Sequence, residues 1–155
     1  MKKIKNSKGF TLMEMLIVVA IIAVLIAIAI PTFTTSLNKA RVATDEANIR
    51  SGYASLMAEI LTNQYDVEAG TAAVKVDYYL QKDGTVKAAG ADATEAKTDA
   101  YVCLGDSAKV KTNIEIAGHS VKSWTHGQYI KYTYTPAIEG SPDADKGMTI
   151  EIDPE

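Results

Sequence analysis

The chain changes character three times along its length. A short polar, basic stretch, Met1 to Lys8, gives way abruptly to an apolar run. From Phe10 to Ile30 only Thr11 and Glu14 are polar. At about 1.5 Å of rise per residue, a helix over 10–30 spans a hydrocarbon core of about 30 Å. No loop cluster interrupts the residues beyond it, so the pattern predicts helix from about Phe10 to about Tyr65. Pro31 is the expected kink, because proline removes a backbone donor and crowds the carbonyl four residues earlier. Gly52 is a second, weaker soft point. Past Pro31 the run turns amphipathic. One stripe is large (Val42, Ile49, Tyr53, Leu56, Ile60) and one is small (Ala40, Ala43, Ala47, Ser51, Ala54, Ala58). Between them lies an expected polar face with Arg41, Asp45, Asn48 and Glu59. Large side chains suit packing on a sheet of the same molecule. Small ones let another helix approach closely, although alanine is also simply the best helix former.

After Tyr65 glycine, threonine and β-formers dominate. The strands read from the pattern are Val74–Leu80, Tyr101–Leu104, Val110–Ile116, Gln128–Tyr134 and Met148–Ile152. The last two alternate most cleanly: Ile130, Tyr132 and Tyr134 against Tyr129, Lys131 and Thr133, then Met148, Ile150 and Ile152 against Thr149 and Glu151. Asp83-Gly84 marks a turn. Ala88–Thr98 and Pro136–Gly147 read as loops. The fold class is therefore α+β: a long N-terminal helix, kinked near Pro31, whose exported half packs on a small antiparallel sheet. The divisions are 1–9, a basic leader; 10–30, the membrane-spanning half of the helix; 31–65, its amphipathic half; and 66–155, the sheet with its loops, one globular domain with 31–65.

Charge sets the topology. Lys2, Lys3, Lys5 and Lys8 crowd the start without an acid among them. By the positive-inside bias that end stays cytoplasmic, and the chain beyond Ile30 is exported. Taking away these four lysines moves the formal charge from −3 to −7, a poor match for nucleic acid in general. Cys103 is the only cysteine, so no intramolecular disulfide forms. It reads as a small buried hydrophobe, and the domain must hold itself together by packing or assembly.

The head resists simpler accounts. Its apolar run is too long for an ordinary secretory signal, and a plain anchor has no use for a carboxylate at Glu14. Thr11-x-x-Glu14 has the form of a capping box. The sequence Gly9-Phe10-Thr11-Leu12-Met13-Glu14, with a basic leader before it and Pro31 after the apolar run, resembles the type IV prepilin signature, shared by pilins and pseudopilins. The resemblance covers roughly the first third of the chain. It implies cleavage between Gly9 and Phe10 by a prepilin peptidase, N-methylation of Phe10, a guiding role for Glu14 in filament assembly and a helix-loosening role for Pro31. It further implies a helical homopolymer, an assembly platform with its ATPase complex, and service in adhesion, twitching motility or DNA uptake. A pseudopilin of a type II secretion or competence system shares this head. From a different class, a single-span membrane protein displaying a ligand-binding domain fits the length but keeps its leader.

Physics supplies a reason for Glu14. Cleavage exposes an α-amine at Phe10 that is largely protonated near neutral pH. In a staggered bundle the Glu14 of one copy can meet the Phe10 amine of another, and wrong registers bury a lone charge at about 3–5 kcal/mol. The small stripe (Ala40, Ala43, Ala47, Ala54, Ala58) is the candidate face between copies.

The rest of the chain offers little chemistry. No Ser/His/Asp arrangement, phosphate loop or paired-glycine motif is present, so no enzyme activity, catalytic residue or resident cofactor is expected. His119, His126 and Cys103 lack a short zinc-ligand spacing and read as loop histidines and a core thiol. Asp143-Ala144-Asp145, with Asp153, admits calcium as a minor reading, since some pseudopilins hold calcium in a C-terminal loop; alternating acids are more commonly just solvated. Lys109, Lys111, Lys122 and Lys131 form a candidate basic strip on the sheet, more simply a solvent face with edge protection. Tyr78, Tyr79, Tyr129, Tyr132 and Trp124 are candidate stacking platforms, more simply core.

Overall fold

A computed structural model describes residues 9–62, 75–90, 93–111, 114–135 and 147–153. The leader lysines, the end of the anticipated helix at 63–65, Val74 and the acidic Asp143–Asp145 pair lie outside these residues. Helix α1 runs over Leu12–Thr62, passing through Pro31. The chain forms two compact units, Met1–Leu37 and Asn38–Glu155.

In the first unit α1 is a bare apolar helix. Every large side chain from Leu12 to Ile30 is exposed, and none of its most apolar window is buried. Pro31 offers no N–H, so the Ala27 carbonyl loses its usual partner. Nearby threonines back-bond to other carbonyls of the same stretch. The Thr32 hydroxyl donates to the Ile28 carbonyl at 3.1 Å, and those of Thr34 and Thr35 donate to the Pro31 carbonyl at 2.9 Å each. Such back-bonding loosens a helix, so the sequence around Pro31 carries more than one softening feature.

The second unit holds the core. Its four-stranded antiparallel sheet has the order β2-β1-β5-β6, with β1 at Val76–Leu80, β2 at Val86–Ala88, β5 at Tyr129–Thr135 and β6 at Gly147–Asp153. A separate hairpin pairs β3 (Ile114–Ile116) with β4 (His119–Val121). The sheet packs on the Asn38–Thr62 part of α1. Val42, Ile49 and Leu56, one residue in seven, are buried against Tyr78, Leu80, Ile130, Tyr132 and Ile150. Each such side chain contributes about 1.5–3 kcal/mol by leaving water. Between them on the same buried stripe stand Asp45 and Gly52. Gly52 is no soft point. A Cβ there would strike the Tyr132 hydroxyl and lie 2.6 Å from Leu80 Cδ1, so glycine is what lets helix and sheet touch. The Tyr132 hydroxyl donates to the Ile49 carbonyl at 2.8 Å beside it.

The two best-patterned strands stand where expected, and β5 and β6 pair from Tyr129↔Asp153 to Thr135↔Gly147. The Asp83-Gly84 turn also stands. Thr85, through its hydroxyl and then its amide, holds the Asp83 carboxyl below its ordinary range, and Gly84 takes φ 85°. Ser55 on α1 donates to the Gly84 carbonyl at 3.1 Å and ties this turn to the helix.

Several expectations are corrected. Tyr101–Leu104 is not a strand; it keeps one isolated bridge, Val102↔Tyr129, with the Cys103 amide donating to the Gln128 carbonyl, and from Leu104 onward the amides turn to Asp45 on the helix instead. Val110–Ile116 is not one strand either, since Ser107–Lys109 forms a 3-10 turn and pairing begins at Ile114. Ala88–Thr98 is not merely an exposed loop. Ala88 ends β2, and the short helix α2 (Thr94–Lys97) buries Ala96, with Ala100, on the outer face of the sheet against Tyr79. There Lys97 stands 5.5 Å and 5.3 Å from the ring centroids of Tyr79 and Tyr129. Three of the four lysines of the candidate strip face acids: Lys109 pairs with Asp106, Lys111 with Glu46, and Lys131 with Asp77 and Glu151, while Lys122 is exposed.

Candidate functional site: the capped head of the helix

The head is built by local bonds. Thr11 is the last non-helical residue, and its carbonyl accepts from the Met15 amide at 3.3 Å. The Glu14 amide donates to Thr11 Oγ1 at 3.2 Å. In return Glu14 Oε2 accepts from the Thr11 amide and hydroxyl, both at 2.8 Å. This is a complete reciprocal capping box. It fixes the carboxylate at the helix start, where the helix dipole favours negative charge. One oxygen is committed to its own chain. Among the described residues, Glu14 Oε1 meets no donor.

Apart from Thr11, the described residues around this carboxylate are apolar and open. Phe10 is 80% exposed and Leu12 84%. Gly9 has nothing within 4 Å of where a side chain would begin, and its backbone is not in the left-handed region. The described residues therefore give no reason for glycine at position 9. A large apolar surface that the protein itself leaves uncovered marks a membrane or protein interaction site.

Residues 4–30 match the family model described as the prokaryotic N-terminal methylation motif. By its head, residues 4–30, the chain is similar to the type IV pilin-like prepilins. A similar protein is the type IV narrow pilus major component PilA5 of Thermus thermophilus, 49% identical over 52 residues, which are 32% of the prepilin and 45% of PilA5. The match thus spans less than half of that relative's length. No solved structure matches the prepilin. The family is one of structural subunits.

The other residues singled out in the sequence fall elsewhere in the prepilin. Ala40, Ala43, Ala47, Ser51, Ala54 and Ala58 are all exposed or half-buried on α1, outside its buried stripe. The histidines do not converge with the thiol as ligands. His119 lies half-buried in β4 with its ring 5.5 Å from that of Tyr53, rather than in a loop, and His126 Nδ1 sits 3.0 Å from the Cys103 carbonyl oxygen. Among the described residues no three metal-ligating side chains come together.

The residue that sequence reasoning placed wrongly is Asp45. It belongs not to a solvated polar face but to the core, fully buried. Four donors converge on it: the Tyr101 hydroxyl at 2.6 Å, the Leu104 amide at 2.9 Å, the Gly105 amide at 2.9 Å and the Trp124 indole N–H at 3.0 Å. Gly105 has to be glycine here, since a Cβ would lie 2.7 Å from Val42 Cγ2. Asn38 extends the clamp by exchanging two bonds with the Asp106 backbone, at 2.8 and 2.9 Å. Burial, and then the Asp45 bond, push the Tyr101 phenol above its ordinary value. Burial, and then the Asp45 charge, push the Cys103 thiol up to about 12, so it stays an unreactive thiol at neutral pH. Asp45 has four anchored donors and no open side. It holds structure, not substrate.

Proposed function

We propose that this prepilin is cut between Gly9 and Phe10 by a prepilin peptidase on the cytoplasmic side of the membrane. The new Phe10 amine is methylated, and the mature chain polymerises through α1 into a type IV pilus-like filament. The bilayer is its first anchor through residues 10–30. Copies of itself, delivered by an assembly platform and its ATPase, then replace lipid around the apolar helix. Filament formation leaves the sheet domain outward, where adhesion, twitching motility or DNA uptake would be served.

One observation carries this reading. A helix apolar on all sides remains uncovered by its own protein, with one carboxylate fixed at its start by a capping box. A membrane anchor alone uses the apolar surface and gains only helix capping from the acid. A stack of like helices uses both, because Glu14 Oε1 can accept from the Phe10 amine of another copy. Gly9, which the described residues do not require, suits recognition by a peptidase. The small face at Ala40, Ala43, Ala47, Ala54 and Ala58 suits close helix contact between copies. The relative's role as a pilus component favours a pilus over a secretion pseudopilus.

The test is the intact mass of the chain purified from its native cell surface, together with electron microscopy of that surface. A mature chain beginning at N-methylated Phe10 and recovered from filaments is the expected result. A chain retaining Met1, alone in its membrane, contradicts it.

A further inference from the structure

The capping box does more than hold Glu14. It also decides where the helix begins, and the proposed scissile bond lies just outside that point. Gly9, Phe10 and Thr11 are non-helical, and helix starts at Leu12. Gly9 and Phe10 are both exposed. A peptide bond in the first turn of a helix has its carbonyl engaged internally and its backbone fixed in the helical conformation, whereas enzymes that bind chain segments commonly use free, extended main-chain groups. The apolar residues after Thr11 give no other signal to start at Leu12. Upstream, Asn6 and Ser7 are themselves good N-cap residue types. A helix capped by either would take Gly9 and Phe10 into its first turn.

We propose that Thr11 is a positioning residue for processing: by capping α1 it keeps the Gly9–Phe10 peptide outside the helix, where a peptidase can engage it. The inference rests on the cleavage reading above. The reaction is hydrolysis, in which water adds across the Gly9–Phe10 bond, Gly9 leaves with the carboxylate and Phe10 keeps the amine. Thr11 takes no part in bond breaking. It acts through the backbone of its two preceding residues.

The experiment uses full-length precursor in detergent micelles with a prepilin peptidase, and reads initial cleavage rate by mass spectrometry alongside the Phe10 Cα chemical shift. Thr11→Val removes the capping hydroxyl at similar shape and is expected to slow cleavage about five- to tenfold, the factor one lost N-cap corresponds to. Its Phe10 shift should move toward helix. Thr11→Ser and Thr11→Asp restore a cap and should restore both rate and shift. Aspartate decides the matter, because it caps well but resembles threonine poorly. If Thr11→Asp is as slow as Thr11→Val, the peptidase reads the threonine side chain itself and the proposal falls. Equal rates for all variants, or a slowed Thr11→Val with an unmoved Phe10 shift, overturn it as well. A wild-type precursor left whole at Gly9–Phe10 would instead defeat the cleavage reading, and that result appears before any variant is tested.

Discussion

Two carboxylates on one helix, Glu14 and Asp45, have opposite surroundings. Glu14 sits at the exposed start of α1 in an apolar surface and, among the described residues, is bonded only to Thr11 beside it, with one oxygen open. Asp45 is fully buried in the second unit, and donors from the segment 101–105 and from Trp124 saturate it. The same functional group thus stands in two different states, and completeness of its hydrogen bonding tells them apart. A carboxylate whose acceptors are all filled by its own chain fixes a fold. One left half-filled on an uncovered surface is available to a partner. The contrast extends to the helix itself, bare before Leu37 and packed on a sheet after Asn38.

The comparison is most easily broken at Asp45. Asp45→Ala strands the Trp124 indole and the Gly105 amide away from water, takes the shared acceptor from the Tyr101 hydroxyl and the Leu104 amide, and should cost about 3–5 kcal/mol. The single tryptophan reports it directly: fluorescence-monitored denaturation of the full chain in detergent should show the midpoint fall sharply. A loss below about 1 kcal/mol would mean the cluster is not what holds this loop to the helix.

The two sides of α1 differ next. Gly52→Ala drives a methyl into Tyr132 and Leu80 and should cost about 1–3 kcal/mol in the same assay. Ala47→Leu with Ala54→Leu, outside the buried stripe, should leave the midpoint unchanged and reduce filament yield. Equal destabilisation by both changes would erase the distinction between folding face and assembly face.

Alkali should act on the buried side alone. Burial, more than any charged neighbour, raises the Tyr101 and Tyr132 phenols above their ordinary value. In the unfolded chain these phenols titrate at about 10, so the unfolded state releases its protons first. The phenols' share of stability is therefore whole below about pH 10 and declines as pH rises beyond it, and the buried Cys103 thiol adds a loss of the same sign that begins at about pH 8.5. Denaturation midpoints measured on either side of about pH 10 check the sign; a midpoint that holds or rises in alkali contradicts the burial of these rings.

The smallest effect belongs to the β3–β4 hairpin, whose two-residue turn places Ala117 at φ 52° ahead of Gly118 at φ 83°. Such turns favour asparagine first, and alanine carries a strain of about 1 kcal/mol. Ala117→Asn should raise stability by about that amount, measured by the same denaturation.

Legibility in the sequence divides along the same line. The head was read residue by residue because its signals are local: Thr11 and Glu14 are one turn apart, and the apolar run declares itself. The strands β5 and β6 were legible through long, clean alternation. Asp45 was not, because its partners Tyr101 and Trp124 lie 56 and 79 residues away, and an acid near Arg41 on a helix looks solvated until the fold is closed. Three-residue strands such as β2 and β4 are too short to show a period, and α2 buries only alanine, which carries no pattern of its own. Gly52 was visible, but its meaning depended on Tyr132, far along the chain.

The central claim is that Glu14 serves assembly and not folding. It is tested most directly by Glu14→Gln, which keeps an N3 capping partner for Thr11 but removes the charge. Expressed in the native host, this variant should insert, be processed and show an unchanged denaturation midpoint, while filament yield falls by about tenfold or more, the size of effect a lost partner charge carries. Filaments at the wild-type level would contradict the account and leave Glu14 with the capping role alone.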